Sequence, residues 1–177
     1  MPKEILPSTV LSDAAIPTKT ALALKEWLVS QGSLTARLEA LIGGQLGVWV
    51  VHEGYRPLFW NEKKQLGLSV NHPMMAWLRT VYLYDKAQAF CPTTALVRAT
   101  SIFPVISLVG DGKRLKQLHT TPIGYVLFKK NRTLPHTRTF VQMAESAHYY
   151  RQTVYDWYGR TILIEEEFLP ALVARLA

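Results

Sequence analysis

Three consecutive carboxylates interrupt an apolar run near the end of the chain. Glu165, Glu166 and Glu167 lie within residues 161–170, which are otherwise rich in strand-forming apolar side chains. Because side chains alternate faces along a strand, Glu166 shares a face with Ile164, whereas its two acidic neighbours point the other way. On a core-facing strand, Glu166 is a buried carboxylate that needs a cation or a hydrogen-bond donor. Such carboxylates gather at functional sites, so Glu166 is a candidate catalytic residue.

A second candidate is an arginine in another apolar strand. Arg79 shares a face with Trp77 and Val81 in the segment Trp77-Leu78-Arg79-Thr80-Val81. A guanidinium on such a face needs an acceptor, and its planar fork fits a carboxylate in bidentate geometry. Two interpretations remain open: Arg79 binds the carboxylate of a ligand, or it forms a structural ion pair with Glu166 or another acid.

The elements that must position these residues are strands grouped in hairpins. Residues 76–84 and 95–103 predict one antiparallel pair. Residues 149–157 and 161–169 predict another, around the turn Tyr158-Gly159-Arg160. A further strand is predicted over residues 138–144, and residues 47–51 read as a strand before an irregular segment over 54–73.

Short helices are inserted between these strand groups. One is predicted to begin at Pro17, and a second to begin at Ser33 or Thr35 and to end at Gly43-Gly44. Strands in hairpins with inserted helical hairpins predict an α+β fold built on a single antiparallel sheet. We expect an irregular N-terminal arm over residues 1–16 and a single domain over residues 17–177.

Composition narrows the class of protein. The chain has 177 residues, of which 49% are hydrophobic and 19% charged, as is typical of a folded globular protein. No apolar run is long enough to cross a bilayer, and the first residues show no signal-peptide pattern. Cys91, the single cysteine, cannot form an internal disulfide. We therefore expect a cytoplasmic protein without stable membrane insertion.

Metal and nucleotide motifs are missing from the sequence. The five histidines show no metal-ligand spacing, and neither a CxxC nor an HExxH pattern occurs. No GxGxxG sequence or phosphate-binding P-loop is present either. We expect no metal site and no cofactor.

The net charge of +7 points towards anionic partners. The basic residues between Lys113 and Arg138 have no acidic neighbour after Asp111. They indicate either a solvated basic surface or binding of an anion. Because the basic residues are mixed with apolar core candidates and no nucleic-acid motif accompanies them, we expect no nucleic-acid partner.

Short motifs along most of the chain resemble those of bacterial chorismate lyases, in the same order and with similar spacing. The motifs are Trp27-Leu28, Ser33-Leu34-Thr35-Ala36-Arg37-Leu38-Glu39, Trp77-Leu78-Arg79, Ala99-Thr100-Ser101-Ile102-Phe103-Pro104, Thr121-Pro122-Ile123-Gly124-Tyr125-Val126-Leu127-Phe128 and Glu166-Glu167-Phe168-Leu169-Pro170. The resemblance implies a sheet whose covered face encloses a small buried ligand cavity beneath helical flaps.

The resemblance also implies a reaction and its site. Chorismate is split into 4-hydroxybenzoate and pyruvate without a cofactor, as the first step of bacterial ubiquinone biosynthesis. By the resemblance, Arg79 grips the ring carboxylate, Glu166 meets the hydroxyl end of the ring, and Leu34 and Ile123 make apolar contacts. The expected partners are the substrate and the product alone, with the protein a monomer.

One position departs from the pattern of the resemblance. Chorismate lyases usually carry arginine four residues before the proline that corresponds to Pro104, but here that position is Thr100. Arg98 lies two residues earlier and on the same strand face. It either enters the cavity in place of the missing arginine or remains an exposed strand residue. Both Arg98 and Thr100 are therefore candidate substrate-binding residues.

An alternative function shares the same fold. Related domains sense ligands in transcription regulators, so a pocket for an aromatic carboxylate does not by itself require turnover. The loss of the arginine at Thr100 favours this non-catalytic binding module. Against it, residues 1–20 are too few to form a DNA-binding domain.

Overall fold

The computed structural model describes residues 8–11, 22–143 and 149–177. Its seven strands form one antiparallel sheet in the order β1-β5-β6-β7-β4-β3-β2. The strands are β1 (Ser8–Leu11), β2 (Leu46–Pro57), β3 (Met75–Asp85), β4 (Val97–Pro104), β5 (His136–Met143), β6 (Tyr149–Trp157) and β7 (Arg160–Phe168). The α-helices are α1 (Leu22–Val29), α2 (Leu34–Ile42), α3 (Trp60–Gln65), α4 (Gly124–Leu127) and α5 (Pro170–Leu176), with 3-10 turns at Val105–Ser107, Gly110–Lys116 and Lys129–Asn131. The predicted α+β fold with a single antiparallel sheet is confirmed.

Several boundaries differ from the sequence-based expectation. Ser8–Leu11 pair with β5 at the sheet edge, so the irregular arm is wrong for these four residues. The rest of that arm and the predicted helix start at Pro17 lie outside the described residues. Strand β2 continues to Pro57 and is followed by α3, so the irregular segment is shorter than predicted. Pairing along the whole of β3 extends β2 beyond what its local sequence suggests.

Local chemistry explains both ends of α2. The hydroxyl of Ser33 accepts a hydrogen bond from the backbone N–H of Ala36 at 3.2 Å, which is an N-cap. Gly43 ends the helix in the left-handed region at φ 65°, and its N–H bonds to the carbonyl of Glu39. This helix is therefore where the sequence predicts it.

The turn between β6 and β7 is equally local in origin. Tyr158 and Gly159 both have positive φ values, 54° and 75°, as a two-residue hairpin turn of the primed type requires. The Asp156 carboxylate accepts a hydrogen bond from the N–H of Gly159 at 2.6 Å. The hairpin brings β6 against β7 in a register that pairs Arg151 with Glu166.

The core lies mainly on one face of the sheet. Two adjoining apolar clusters cover this face, one built around α1, α2 and α5, and the other around α4 and the neighbouring 3-10 turns. Ile162 and Ile164 belong to the second cluster, whereas Leu163 packs on the opposite face with residues next to α3. The alternation predicted for β7 is confirmed, and Glu166 therefore lies on the covered face.

Candidate active site

A buried cavity lies where the two apolar clusters meet, between the sheet and the segments of α2 and α4. Its walls are Leu34, Thr35, Arg79, Val81, Leu83, Ala99, Ser101, Pro122, Ile123, Gly124, Leu127, Phe128, Tyr155, Ile164 and Glu166. Measured as space for the centre of a water-sized sphere, its volume is about 30 Å³. This suffices for water but not for a six-membered ring, so ligand entry requires the walls to move apart.

Arg79 is the cationic wall of the cavity. Its side chain is 1% exposed, and its Nε donates to the Glu53 carboxylate at 3.0 Å. Its Nη2 donates to the carbonyls of His119 at 2.6 Å and Thr121 at 3.3 Å. Burial lowers the pKa of Arg79, while the charge and hydrogen bond of Glu53 oppose that shift. The guanidinium thus joins β2, β3 and the segment that precedes α4.

The backbone is strained at His119, whose carbonyl accepts a hydrogen bond from Arg79. His119 has a positive φ of 46°, which side chains with a Cβ rarely adopt. Its carbonyl is the nearer of the two that accept from Arg79. The hydrogen bond to the charged group helps to offset the cost of this conformation.

Glu166 is the acidic wall, and its partner is Arg151. The Arg151 side chain is fully buried, and its Nε donates to Oε2 of Glu166. Its Nη1 donates to the carbonyls of Trp27, Leu28 and Ser30 and to the hydroxyl of Ser30. Burial alone would lower the pKa of Arg151, but the charge and hydrogen bond of Glu166 raise it. Arg151 thus connects Glu166 to the C-terminal end of α1.

Tyr155 and Arg138 extend this network. Nη2 of Arg138 donates to the Tyr155 hydroxyl at 3.3 Å, and its Nη1 donates to the Ser30 carbonyl at 2.5 Å. Burial raises the pKa of Tyr155, and the charge of Glu166 adds to the rise. Burial also lowers the pKa of Arg138, with a contribution from Arg151. Tyr155 therefore offers a neutral hydroxyl to the cavity at physiological pH.

The predicted site residues fall into two groups. Arg79, Glu166, Leu34 and Ile123 all line the cavity. Arg79 and Glu166 do not pair with each other in the described structure, because each has its own ionic partner. The acid that meets Arg79 is Glu53, which lies directly opposite it on β2.

Arg98 and Thr100 do not line the cavity, which corrects the expectation that they bind substrate there. In β4 the cavity-facing residues are Ala99 and Ser101, so alternation turns Arg98 and Thr100 to the other face. The Arg98 side chain is 41% exposed and forms an ion pair with Glu167 at 3.8 Å. The Thr100 hydroxyl is hydrogen-bonded to that of Thr80 at 3.1 Å.

Sequence reasoning missed Arg151, Glu53 and Tyr155. A signal for Arg151 was present, because it alternates with Tyr149, Thr153 and Tyr155 in a strand predicted to pair with the strand of Glu166. Glu53 had no such signal. It follows a bulge in β2 between Val50 and His52, which shifts the alternation of the side chains that follow.

Helices α2 and α4 meet closely above the cavity. A Cβ built on Gly124 would clash with the side chains of Thr35 and Ser33, so a larger residue at this position requires them or the helices to shift. Beside it, the Tyr125 hydroxyl donates a hydrogen bond to Glu39 of α2. That bond raises the pKa of Tyr125 to about 12. The two helical segments thus close over the cavity together.

Two further observations bear on the class of site. Among the described residues, no group of three or more histidine, cysteine, aspartate or glutamate side chains could hold a metal ion. In the same part of the chain, no helix is long and apolar enough to cross a membrane.

An antiparallel sheet whose helix-covered face encloses a cavity lined by Arg79 and Glu166 defines the class of fold and site. The fold recurs in the crystal structure of PhnF from Mycobacterium smegmatis, with a TM-score of 0.52 at 14% identity over 80% of this chain and 65% of that one. It also recurs in the ligand-binding domain of a putative GntR-family regulator from Bordetella bronchiseptica, with a TM-score of 0.50 at 12% identity over 72% of this chain and 86% of that one. These similarities concern the fold alone.

Sequence comparison identifies the family. The family model for chorismate lyase matches residues 9–176. The probable chorismate pyruvate-lyase of Psychrobacter cryohalolentis is 48% identical over 150 residues, which cover 83% of this chain and 85% of the relative. That of Acinetobacter baumannii is 32% identical over 153 residues, covering 86% and 85%. The chain belongs to the chorismate lyase family.

Proposed function

We propose that this protein is a lyase that converts chorismate into 4-hydroxybenzoate and pyruvate. The observation that carries this proposal is that Arg79 and Glu166 both line one buried cavity of a chain in the chorismate lyase family. The cation suits the carboxylate of an aromatic acid, and the carboxylate suits a hydroxyl group. The two ends of 4-hydroxybenzoate carry these groups.

The ring carboxylate of the substrate binds at Arg79. In the described residues, Nε and Nη2 of this arginine are engaged by Glu53 and by backbone carbonyls, whereas Nη1 has no such bond. Nη1 is therefore the donor for an entering carboxylate. The surrounding side chains Val81, Leu83 and Leu34 exclude water, which strengthens this charge-assisted hydrogen bond.

The hydroxyl end of the ring binds at Glu166. Arg151 donates to its Oε2, and no other described residue donates a hydrogen bond to Oε1, which is therefore available to the ligand. From there Glu166 either orients the ring hydroxyl or accepts the proton from the ring carbon that carries it. In both roles Arg151 fixes the direction of the carboxylate.

The second carboxylate of chorismate meets neutral donors. Arg98 and Thr100 lie on the other sheet face, and the cavity offers the hydroxyls of Thr35, Ser101 and Tyr155 instead. A hydroxyl binds a carboxylate more weakly than a guanidinium does. We infer that Arg79 supplies most of the electrostatic binding energy and that the enolpyruvyl group, whose carboxylate is held more weakly, is the group that departs.

The chemistry requires no external reagent. The carbon–oxygen bond between the ring and the enolpyruvyl group breaks, and the adjacent ring carbon loses its proton. The electron pair of that carbon–hydrogen bond completes the aromatic ring, and the departing enolpyruvate takes up a proton at its terminal carbon to become pyruvate. Because the ring gains aromaticity, holding the substrate in a reactive pose within a dry cavity can supply much of the acceleration.

The test follows 4-hydroxybenzoate formation by ultraviolet absorbance after chorismate is added to purified protein. Turnover above the uncatalysed rate is expected, and Arg79→Met should lower kcat/KM by at least about 100-fold, as expected for a buried charge-assisted contact. Arg98→Met is the matched control, because Arg98 lies outside the cavity, and should retain most of the activity. A correctly folded wild-type protein without turnover would refute the proposal.

The role of Glu166 is resolved by a second pair of variants. Glu166→Gln keeps a hydrogen-bond acceptor but cannot take a proton, whereas Glu166→Ala removes both. If Glu166 only orients the hydroxyl, Gln should retain far more turnover than Ala. Equal loss in both variants would instead support proton transfer.

We propose the remaining properties from the family resemblance. The reaction would supply the aromatic precursor of bacterial ubiquinone, and the protein would act as a cytoplasmic monomer. Sedimentation of the purified protein tests the monomer directly.

A further inference from the structure

A second pocket lies on the other side of α4 from the active-site cavity. We call it the basic pocket, and it is lined by Asp111, Arg114, Val126, Lys129, Arg132, Trp157, Tyr158 and Arg160. Val126 of α4 lines this pocket, whereas Gly124 and Leu127 of the same helix line the cavity. Measured in the same way as the cavity, its volume is about 290 Å³. It is therefore roomy enough to admit a small ligand without rearrangement.

The charge of the basic pocket favours an anion. Four cationic side chains and the single carboxylate of Asp111 line it. The four cationic side chains that line one pocket repel one another, and an anion bound between them relieves the repulsion. The pocket is open to solvent, so the attraction is expected to weaken with salt.

Aromatic rings hold two of the guanidinium groups in place. The Arg132 guanidinium lies 5.0 Å from the centroid of the Tyr158 ring, and that of Arg160 lies 5.7 Å from the Trp157 ring. The Nε of Arg132 donates to the Lys129 carbonyl at 3.1 Å, and the Nε of Arg160 donates to the Val109 carbonyl at 3.3 Å. Within the described residues the terminal nitrogens of both groups have no protein acceptor. Stacking therefore orients the guanidinium groups while leaving their donors for a ligand.

Trp157 adds an unsatisfied donor. This residue is only 2% exposed, and its indole Nε1 has no hydrogen-bond partner among the described residues. A buried N–H without an acceptor costs free energy. Because Trp157 lines the basic pocket, an oxygen-rich ligand bound there lies next to this residue.

We propose that the basic pocket binds a phosphate group. A phosphate presents three terminal oxygens and up to two negative charges, which match several donors and a net charge of +3 better than a single carboxylate does. The bound group belongs either to a small soluble phosphate ester or to the headgroup of an anionic lipid. The proposal concerns a site separate from the active-site cavity and does not depend on the lyase reaction.

The experiment measures binding of inorganic pyrophosphate by calorimetry at low ionic strength. A parallel arm measures cosedimentation with phosphatidylcholine vesicles that contain or lack phosphatidic acid. The test variant is Arg132→Gln combined with Arg160→Gln. The matched control is Lys25→Gln combined with Lys86→Gln, which removes the same charge from exposed positions outside the pocket.

The expected result is a loss of affinity of at least tenfold in the test variant and less than about twofold in the control. Pyrophosphate binding with this pattern identifies a soluble phosphate as the ligand type, and vesicle binding with this pattern identifies a lipid headgroup. Thermal unfolding of both double variants checks that they are folded. Absence of binding in both arms, or equal weakening by the test and control variants, would overturn the proposal.

Discussion

The most informative perturbation is the removal of Arg151, which holds Glu166 at the cavity wall. Arg151→Met keeps an unbranched side chain, although a shorter one, and removes the charge and the hydrogen-bond donors. The Glu166 carboxylate, which is 7% exposed, would then be buried without its cation. The carbonyls at the end of α1 that accept from Arg151 would also lose their donor. Removing one partner of a buried ion pair costs about 3–5 kcal/mol in the free energy of unfolding.

This cost predicts a large change in the melting temperature. For a domain of this size each kcal/mol shifts Tm by about 2–4 °C, so Arg151→Met should lower it by roughly 6–20 °C. Arg98→Met is the matched control in β4, which lies on the other side of β7 from the strand of Arg151. Its ion pair with Glu167 is partly exposed at 3.8 Å, and its loss should cost about 0–1 kcal/mol.

A second substitution separates the effect of the lost ion pair on stability from the effect of lost packing. In Arg151→Met combined with Glu166→Leu, neither member leaves a buried charge unpaired, so the double variant should be more stable than Arg151→Met by about 2 kcal/mol. Thermal and urea unfolding of the four proteins in the cycle measure the coupling. The reasoning fails if Arg151→Met and Arg98→Met lose equal stability, or if the two substitutions at the ion pair simply add.

Three further predictions concern the closure of the cavity and the opposite sheet face. Gly124→Ala should force α4 away from α2 and weaken 4-hydroxybenzoate binding, measured by calorimetry, at least about tenfold. The control is Gly44→Ala, whose added methyl group meets nothing within 4 Å and should leave binding unchanged. Equal effects of the two substitutions would contradict the close-contact argument. Tyr125→Phe removes the hydrogen bond to Glu39 and should speed product release several-fold in stopped-flow fluorescence, a net contribution of roughly 1 kcal/mol. Because the hydrogen bond to Glu39 raises the pKa of Tyr125 from 10.0 to about 12, wild-type release should change little between about pH 9 and pH 11, where an ordinary tyrosine ionises, and a steep rise over that range would count against the bond. Burial raises the pKa of the Glu165 carboxyl above its ordinary value of 4.5. The folded state therefore binds the carboxyl proton more tightly than the unfolded chain does, and protonated Glu165 favours folding. This contribution to stability is lost as the pH rises through the folded-state pKa. Glu165→Gln should therefore raise Tm at pH 7 but not below pH 4.5, and a gain of the same size at both pH values would be inconsistent with the shift.

Much of the local structure followed from short-range patterns. The β6–β7 hairpin was predicted from Tyr158-Gly159-Arg160, because left-handed backbone at the two turn residues is a local requirement. Helix α2 was predicted from its Ser33 cap and the glycine that ends it, for the same reason. By contrast, the extent of β2 depended on pairing with β3, which no local window contains.

The strand β4 illustrates where local patterns fail. Its two faces carry Ala99, Ser101 and Phe103 on one side, and Arg98, Thr100 and Ile102 on the other. Both sets mix polar and apolar residues, so alternation alone does not tell which face the helices cover. The structure places Ala99 and Ser101 in the cavity wall, and the expectation for Arg98 and Thr100 was wrong.

The sequence by itself determined that Glu166 shares a strand face with Ile164 and that Arg79 shares one with Trp77 and Val81, since the two-residue period of a strand is a property of the backbone. Tertiary structure decided their partners. The pairing of β2 with β3, after the bulge in β2, places Glu53 opposite Arg79, and the register of the β6–β7 hairpin places Arg151 opposite Glu166. It also brought α2 and α4 together over both residues. Such choices depend on contacts between segments far apart in the chain, where burial and pairing of the whole sheet outweigh the preference of any single segment.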